Sequence, residues 1–189
     1  MNTMPDMPQP SVPCWKHQQT YYEGFQRTIY TTNEETFFPE GYLIVSRTDL
    51  EGRITHANEA FVKMSGWERE DLIGSLHSIL RHPDLPRVAF KGLWDDVRAG
   101  KKWHGYVKNL RKDGGFYWVY ATIIPNVRNG KIVSYTSVRR QPSREKVNEC
   151  TKLYYQLLAE ERKAANLPPP PPPAGTEQSI KALALALAN

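Results

Sequence analysis

The sequence predicts an α+β fold: a five-stranded antiparallel sheet with helices packed on one face and flanking helices at either end. Three observations carry this. Short apolar runs bounded by turn residues stand at the start and the end of residues 41–140. A cluster of short helical segments and one longer amphipathic segment separate them. The last three runs are joined by Asp113-Gly114 and Asn129-Gly130, both strong hairpin signals. Two strands, helices, then three meandering strands close into one antiparallel sheet covered by its helices.

The elements follow in order. Residues 1–20 read as a disordered start, and Tyr21 to Tyr30 as a short amphipathic helix with Tyr22, Phe25 and Ile29 at helical spacing. Tyr42-Leu43-Ile44-Val45 is a buried-strand run, and Arg53-Ile54-Thr55-His56 is its hairpin partner across Asp49-Leu50-Glu51-Gly52. Asn58 caps a helix carrying Phe61, Val62 and Met64, which Gly66 stops. Glu70 to Gly74 and Leu76 to Leu80 are further helical turns. The longer helix runs from Pro86 to Ala99, with Val88, Phe90, Leu93, Trp94 and Val97 on one side. Strands at Trp103 to Leu110, Phe116 to Ile124 and Ile132 to Arg139 complete the sheet. Ser143 caps a last helix, striped by Val147, Cys150, Tyr154 and Leu157, that ends near Asn166. A stiff Pro168–Pro173 spacer and an Ala/Leu tail follow; the tail reads as frayed, or else as a helical docking peptide.

Composition narrows the function. The net charge of +5 is diffuse and carries no Lys/Arg run interleaved with aromatics, so nucleic acid is not expected as a partner. Cys14 and Cys150 are the only cysteines, which disfavours a disulfide framework, a cysteine zinc site and covalent c-type haem. No apolar stretch suits a signal peptide or a membrane span, so a cytoplasmic protein is expected. The histidines lack metal spacing and no catalytic triad, phosphate loop or carboxylate pair emerges; neither a metal site nor an enzyme is expected.

The informative chemistry lies in Arg81-His82-Pro83-Asp84, a charged turn before the longer helix, and in Trp103-His104-Gly105-Tyr106-Val107-Lys108-Asn109. Trp103, Gly105, Val107 and Asn109 alternate onto one strand face. An aromatic, a gap and a carboxamide on that face suit a flat molecule with polar edges. Asn109 can donate and accept, although a strand-end residue satisfying a turn reads the same way.

The element order, with Asp49-Leu50-Glu51-Gly52-Arg53-Ile54-Thr55-His56-Ala57-Asn58, Ser65-Gly66-Trp67-Glu68-Arg69-Glu70-Asp71-Leu72-Ile73-Gly74 and Arg111-Lys112-Asp113-Gly114, resembles a PAS domain over residues 36–141. The Arg81-to-Pro86 turn, Phe90 with Trp94, the Trp103-to-Asn109 strand and Tyr117-Trp118-Val119 resemble the FAD-binding PAS domain of bacterial aerotaxis receptors. That resemblance implies a PAS sensor at 36–141 between a 1–35 extension, a 142–166 helix and a 167–189 spacer and tail. It implies FAD as cofactor, with Asn58, Arg81, His82, Asp84, Trp94, Trp103 and Asn109 as its contacts. Arg81 and His82 would meet the diphosphate, with Asp84 holding them or capping the following helix. Asn58 serves equally as a helix cap, and Trp94 and Trp103 equally as core. The implied function is bacterial redox or oxygen sensing, as in aerotaxis and chemotaxis. Reduction of the flavin would alter its hydrogen bonds to the sheet and signal to a partner protein in trans or through a homodimer. The Val147 stripe is a dimer contact or packs on its own sheet. A haem b gas sensor using His77 or His82 and a cofactor-free interaction scaffold are the alternatives.

Overall fold

The computed structural model describes residues 4–21 and 24–188. An N-terminal antiparallel hairpin, β1 (Trp15–Thr20) and β2 (Gln26–Thr31), precedes the main sheet. It replaces the disordered start and the helix expected from Tyr21 to Tyr30. Arg27, Ile29 and Thr31 are buried in alternation, so period two prevails over helical spacing, and Thr28, Ile29 and Thr31 are β-branched. Gly24, at φ 76°, makes the turn; Tyr22, part of the expected helical stripe, lies outside the described residues.

The main sheet contains β3 (Ile44–Thr48), β4 (Ile54–Ala57), β5 (Trp103–Leu110), β6 (Phe116–Arg128) and β7 (Lys131–Arg140), in the antiparallel order β4-β3-β7-β6-β5. Tyr42 and Leu43 fall before β3 and are exposed, so the buried run starts one pleat later than the sequence suggests. Between β4 and β5 stand α1 (Glu59–Ser65), α2 (Arg69–Leu72), a 3₁₀ turn (His77–Leu80) and α3 (Arg87–Arg98). α1 starts and stops as read: Asn58 Oδ1 accepts from Phe61 N–H at 3.0 Å, and Gly66 closes it with φ 71°. In α3, Leu93 and Val97 are buried, whereas Val88 is exposed.

Register defines two faces. Asn109 opposes Tyr117, Val107 opposes Val119, Gly105 opposes Ala121 and Trp103 opposes Ile123. Ala121 in turn opposes Arg139, and Ile123 opposes Ser137. These residues face α1, the 3₁₀ turn and α3. Phe61, Leu72, Ile79 and Leu80, none more than 1% exposed, complete this main core. Met4, Met7, Tyr21 and Ile29 join it from the N-terminal segment, which is therefore part of the fold.

The opposite face is also covered. α4 (Arg144–Ala164) is capped by Ser143 and places Val147, Cys150 and Tyr154 on Phe116 and Trp118. Val147, Cys150 and Tyr154 of the stripe thus pack on the chain's own sheet. The proline run does not project as a spacer. It folds back so that Tyr155 Oη donates to Pro170 O at 3.4 Å, and Ala174 is buried beside Phe116 and Trp118. Gly175 lies against the Phe116 ring where any Cβ would collide. The tail is not frayed: α5 (Glu177–Leu187) is capped by Thr176 and buries Ser179 and Leu183. Among the described residues no helix is long and apolar enough to cross a membrane.

Candidate functional site

The inner face of β5 to β7 holds under-bonded polar groups. Asn109 Nδ2, Tyr117 Oη, Ser137 Oγ and Arg139 Nη1 are all buried without a partner in well-aligned hydrogen-bond geometry, Asn109 and Tyr117 lying near enough that the amide partly offsets the effect of burial on the phenol. Such groups are destabilising unless something pairs with them. Tyr117 stands opposite Asn109 across the strand pair, and Ser137 and Arg139 alternate along β7. Burial pushes the Tyr117 phenol up to about 12 and pulls the Arg139 guanidinium down to about 10. Arg139 Nη2 meets Ser46 Oγ and His77 Nε2, both at 2.7 Å, and its guanidinium lies 5.1 Å from the Phe61 ring centroid.

Gly105 sits on the same face, and the Trp103 indole lies across it. A Cβ at position 105 would overlap that ring, so the glycine is what lets the indole lie flat on the strand. Trp103 also touches the small cluster of Leu93, Val97 and Tyr135, which Trp94 joins by an edge contact with Tyr135 at 5.8 Å. Trp103 and Trp94 therefore border one region of the sheet's helix-covered face, and Asn109 lies on the same face six residues further along β5. His104 points away and pairs with Thr122 at 3.0 Å.

The charged turn divides. Arg81 bridges Asn109 backbone to backbone at the edge of β5. Its guanidinium covers the Phe90 ring at 4.8 Å. His82 is fully buried, edge-on to Phe116 at 5.8 Å, with Nδ1 accepting from Asp84 N–H at 3.1 Å. Asp84 turns to the α4 side, where its Oδ2 accepts from Lys108 Nζ at 2.6 Å and from Ala174 N–H at 2.9 Å. Lys108 Nζ also donates to Ala174 O at 2.7 Å. Burial alone would raise the Asp84 carboxyl, but the Lys108 and His82 charges and these hydrogen bonds hold it at about 2. Burial draws the Lys108 ammonium below its ordinary range against the pull of Asp84. Two oxygens at 2.6 and 2.7 Å make the charged pair the state this geometry favours.

Two expectations change here. Asp84 does not cap α3, whose N-cap is Pro86. The helix start is instead closed by α4: Glu161 accepts from Arg87 N–H at 3.0 Å and Val88 N–H at 2.9 Å. The place at which the sequence suggested an anion therefore carries one of the chain's own carboxylates. Asn58 stands apart, fully spent on Phe61 N–H, Val45 N–H at 3.1 Å and Leu43 O at 2.9 Å. Asn58→Ala is expected to cost about 2 kcal/mol in urea unfolding, because one cap also ties β3 to α1; a loss below about 0.5 kcal/mol would contradict this anchor role.

Sequence reasoning missed Tyr117, Ser137, Arg139 and Lys108. Alternation along β7 held the signal for Ser137 and Arg139, and the Asn109 opposition held it for Tyr117. Lys108 had no signal, because its burial depends on a distant tail. Of the alternative iron ligands, His77 is engaged by Arg139, while His82 Nε2 is buried and unpartnered.

Residues 54–139 match the family described as PAS fold. The chain is 42% identical over 130 residues to the aerotaxis receptor of Escherichia coli (strain K12), a match spanning 69% of this chain and 26% of that protein. It is 28% identical over 109 residues to the nitrogen fixation regulatory protein of Klebsiella pneumoniae, spanning 57% and 22%. The chain thus covers about a quarter of the length of these relatives. Its fold is similar to the light-state structure of the blue-light photoreceptor Aureochrome1 LOV. That similarity has a TM-score of 0.52 at 22% identity and covers 57% of this chain and 90% of that one.

Proposed function

The chain contains a PAS domain, and from that premise we propose a flavin-binding, non-enzymatic signalling module that reports redox state or oxygen to a partner protein. The carrying observation is the set of under-bonded polar groups on the sheet face that Gly105 shares: Asn109 Nδ2, Tyr117 Oη, Ser137 Oγ and Arg139 Nη1. They complement the carbonyl and ring-nitrogen edge of an isoalloxazine. Trp103, whose indole fills the space at Gly105, would have to give way to such a ring and would then supply an apolar wall, with Trp94 beside it. FAD is the flavin that the aerotaxis-type resemblance favours.

A bound flavin supplies a ring nitrogen that accepts a hydrogen bond when oxidised and carries a proton when reduced. Asn109 answers both states by presenting Nδ2 or Oδ1, so its amide turns over between them. Arg139, held by Ser46 and His77, keeps a fixed positive charge beside the ring. Lys108, the next residue on β5, faces the other way and grips Ala174. A shift at Asn109 therefore reaches the α4 face within one pleat, where the folded-back tail transmits it. The receiver is a second copy or another protein in the cytoplasm.

The test is the visible spectrum of the purified chain in air and after reductant. A structured flavin band that bleaches and returns in air supports the reading. A Soret band or a chain that stays colourless after incubation with FAD overturns it. Asn109→Ala is expected to weaken flavin binding about tenfold, the loss of one buried hydrogen bond; unchanged affinity would remove Asn109 from the site.

A further inference from the structure

The N-terminal hairpin buries a second set of under-bonded donors. Arg27 is 3% exposed, and among the described residues none of Nε, Nη1 and Nη2 has a partner in well-aligned hydrogen-bond geometry. Its guanidinium lies 5.2 Å from the Trp67 ring centroid, and Trp67 Nε1 is likewise buried and unpaired. Tyr21 Oη completes the group: burial raises this phenol, while the Arg27 guanidinium opposes the rise both by its charge and as a hydrogen-bond donor, with Arg81 adding a weaker pull. Lys112 is a further cation at the Trp67 ring, but its charge is met by Asp71 at 3.2 Å. Among the described residues no acidic side chain pairs with Arg27. A buried guanidinium without a counter-charge is costly, and the acceptors nearest to it, the Tyr21 phenol oxygen and the unpaired Gln19 Oε1 across the strand pair, are neutral and leave its charge uncompensated.

This cluster connects with the proposed ring site. Asn109 bridges Arg81, Gln19 Nε2 donates to Arg81 O at 3.3 Å, and Gln19 is the cross-strand partner of Arg27. Asn109, Arg81, Gln19 and Arg27 thus follow one another along adjoining backbone positions. The first turn of α3, the alternative place for an anion, is taken by Glu161.

We propose that Arg27, Tyr21 and Trp67 form a phosphoanion site that receives the phosphate-bearing arm of a flavin nucleotide. This rests on the flavin reading for the identity of the ligand, though not for the site itself. Guanidinium geometry matches phosphate oxygens, and the phenol and indole supply one donor each. The hairpin then does more than cover the core: it selects phosphorylated flavins over riboflavin.

The experiment titrates the full chain with riboflavin, FMN, FAD and inorganic pyrophosphate, for wild type, Arg27→Met, Arg27→Lys and Trp67→Phe. FMN and FAD are expected to bind wild type at least tenfold more tightly than riboflavin. R27M should erase that preference while leaving riboflavin affinity unchanged; R27K should recover part of it, and W67F should lose several-fold. Pyrophosphate that raises the Tm of wild type but not of R27M, with no flavin bound by either, keeps the site and overturns the flavin reading. Equal effects of R27M on riboflavin, FMN and FAD, or no effect on any of the four ligands, overturn the site.

Discussion

Lys108→Met is expected to destabilise the protein by about 3 kcal/mol or more, measured by urea unfolding at neutral pH. Methionine keeps most of the volume and the apolar stem, so the loss isolates the charge. Lys108 is 1% exposed and its ammonium has two oxygen partners, Asp84 Oδ2 and Ala174 O. Without it, the Asp84 carboxylate, whose side chain is 18% exposed, remains ionised against the Phe116 side of the core with only Ala174 N–H and His82 beside it. The cost falls at the lower end of the range for a broken buried pair, because Asp84 retains the Ala174 N–H hydrogen bond and some water. Loss of the ammonium also frees the Ala174 carbonyl, so faster amide exchange is expected in K108M at Ala174, Gly175 and Thr176, the residues after the proline run that carry a backbone N–H. A second variant, Asp84→Asn with Lys108→Met, should recover part of the stability by removing the stranded charge. A K108M chain within about 1 kcal/mol of wild type would show that the pair does not hold the tail.

The same node shows where sequence reading ends. The five-stranded sheet, its turns and the caps at Asn58 and Gly66 were legible because each depends on residues close together in the chain. Asn109 and Trp103 were legible as a shared face because strand alternation is local. The node at Asp84, Lys108 and Ala174 joins residues up to 90 positions apart, and no local pattern distinguishes a lysine on a wet strand face from one covered by a proline run. The N-terminal hairpin misled differently. Tyr22, Phe25 and Ile29 fit a helix, but Gly24 and the β-branched residues after it make a turn and a strand once a partner strand is available. Glu161 took the α3 start for a reason equally remote: α4 happens to end beside it.

Acid sensitivity is the second large effect, and histidine burial sets its sign. Burial pulls the His82 imidazole down to about 3, with Lys108 and His17 adding to the effect and Asp84 opposing it. Burial, helped by the Arg139 guanidinium, likewise brings His77 to about 3. In the unfolded chain both titrate near the ordinary histidine value of about 6.5. Below that pH the unfolded state takes up protons that the folded state refuses, so stability falls as pH drops from about 6.5 towards 3. Each such histidine accounts for about 1.4 kcal/mol per pH unit; His82 is fully buried, while the partly covered His77 contributes less. Between pH 6.5 and 5 the combined loss is roughly 3 kcal/mol, over a window in which ordinary carboxylates remain ionised. Asp84 acts later: its lowered value adds stability above the usual carboxyl range and withdraws it only below about pH 4. Urea midpoints measured at half-unit steps from pH 7.5 to 4.5 should therefore be flat above pH 7 and slope downwards below 6.5. H82Q should remove more than half of that slope while leaving the plateau shape unchanged. A midpoint constant from pH 7 to 5 would mean that water reaches both imidazoles, and the packing of His82 against Phe116 would have to be looser than its geometry implies.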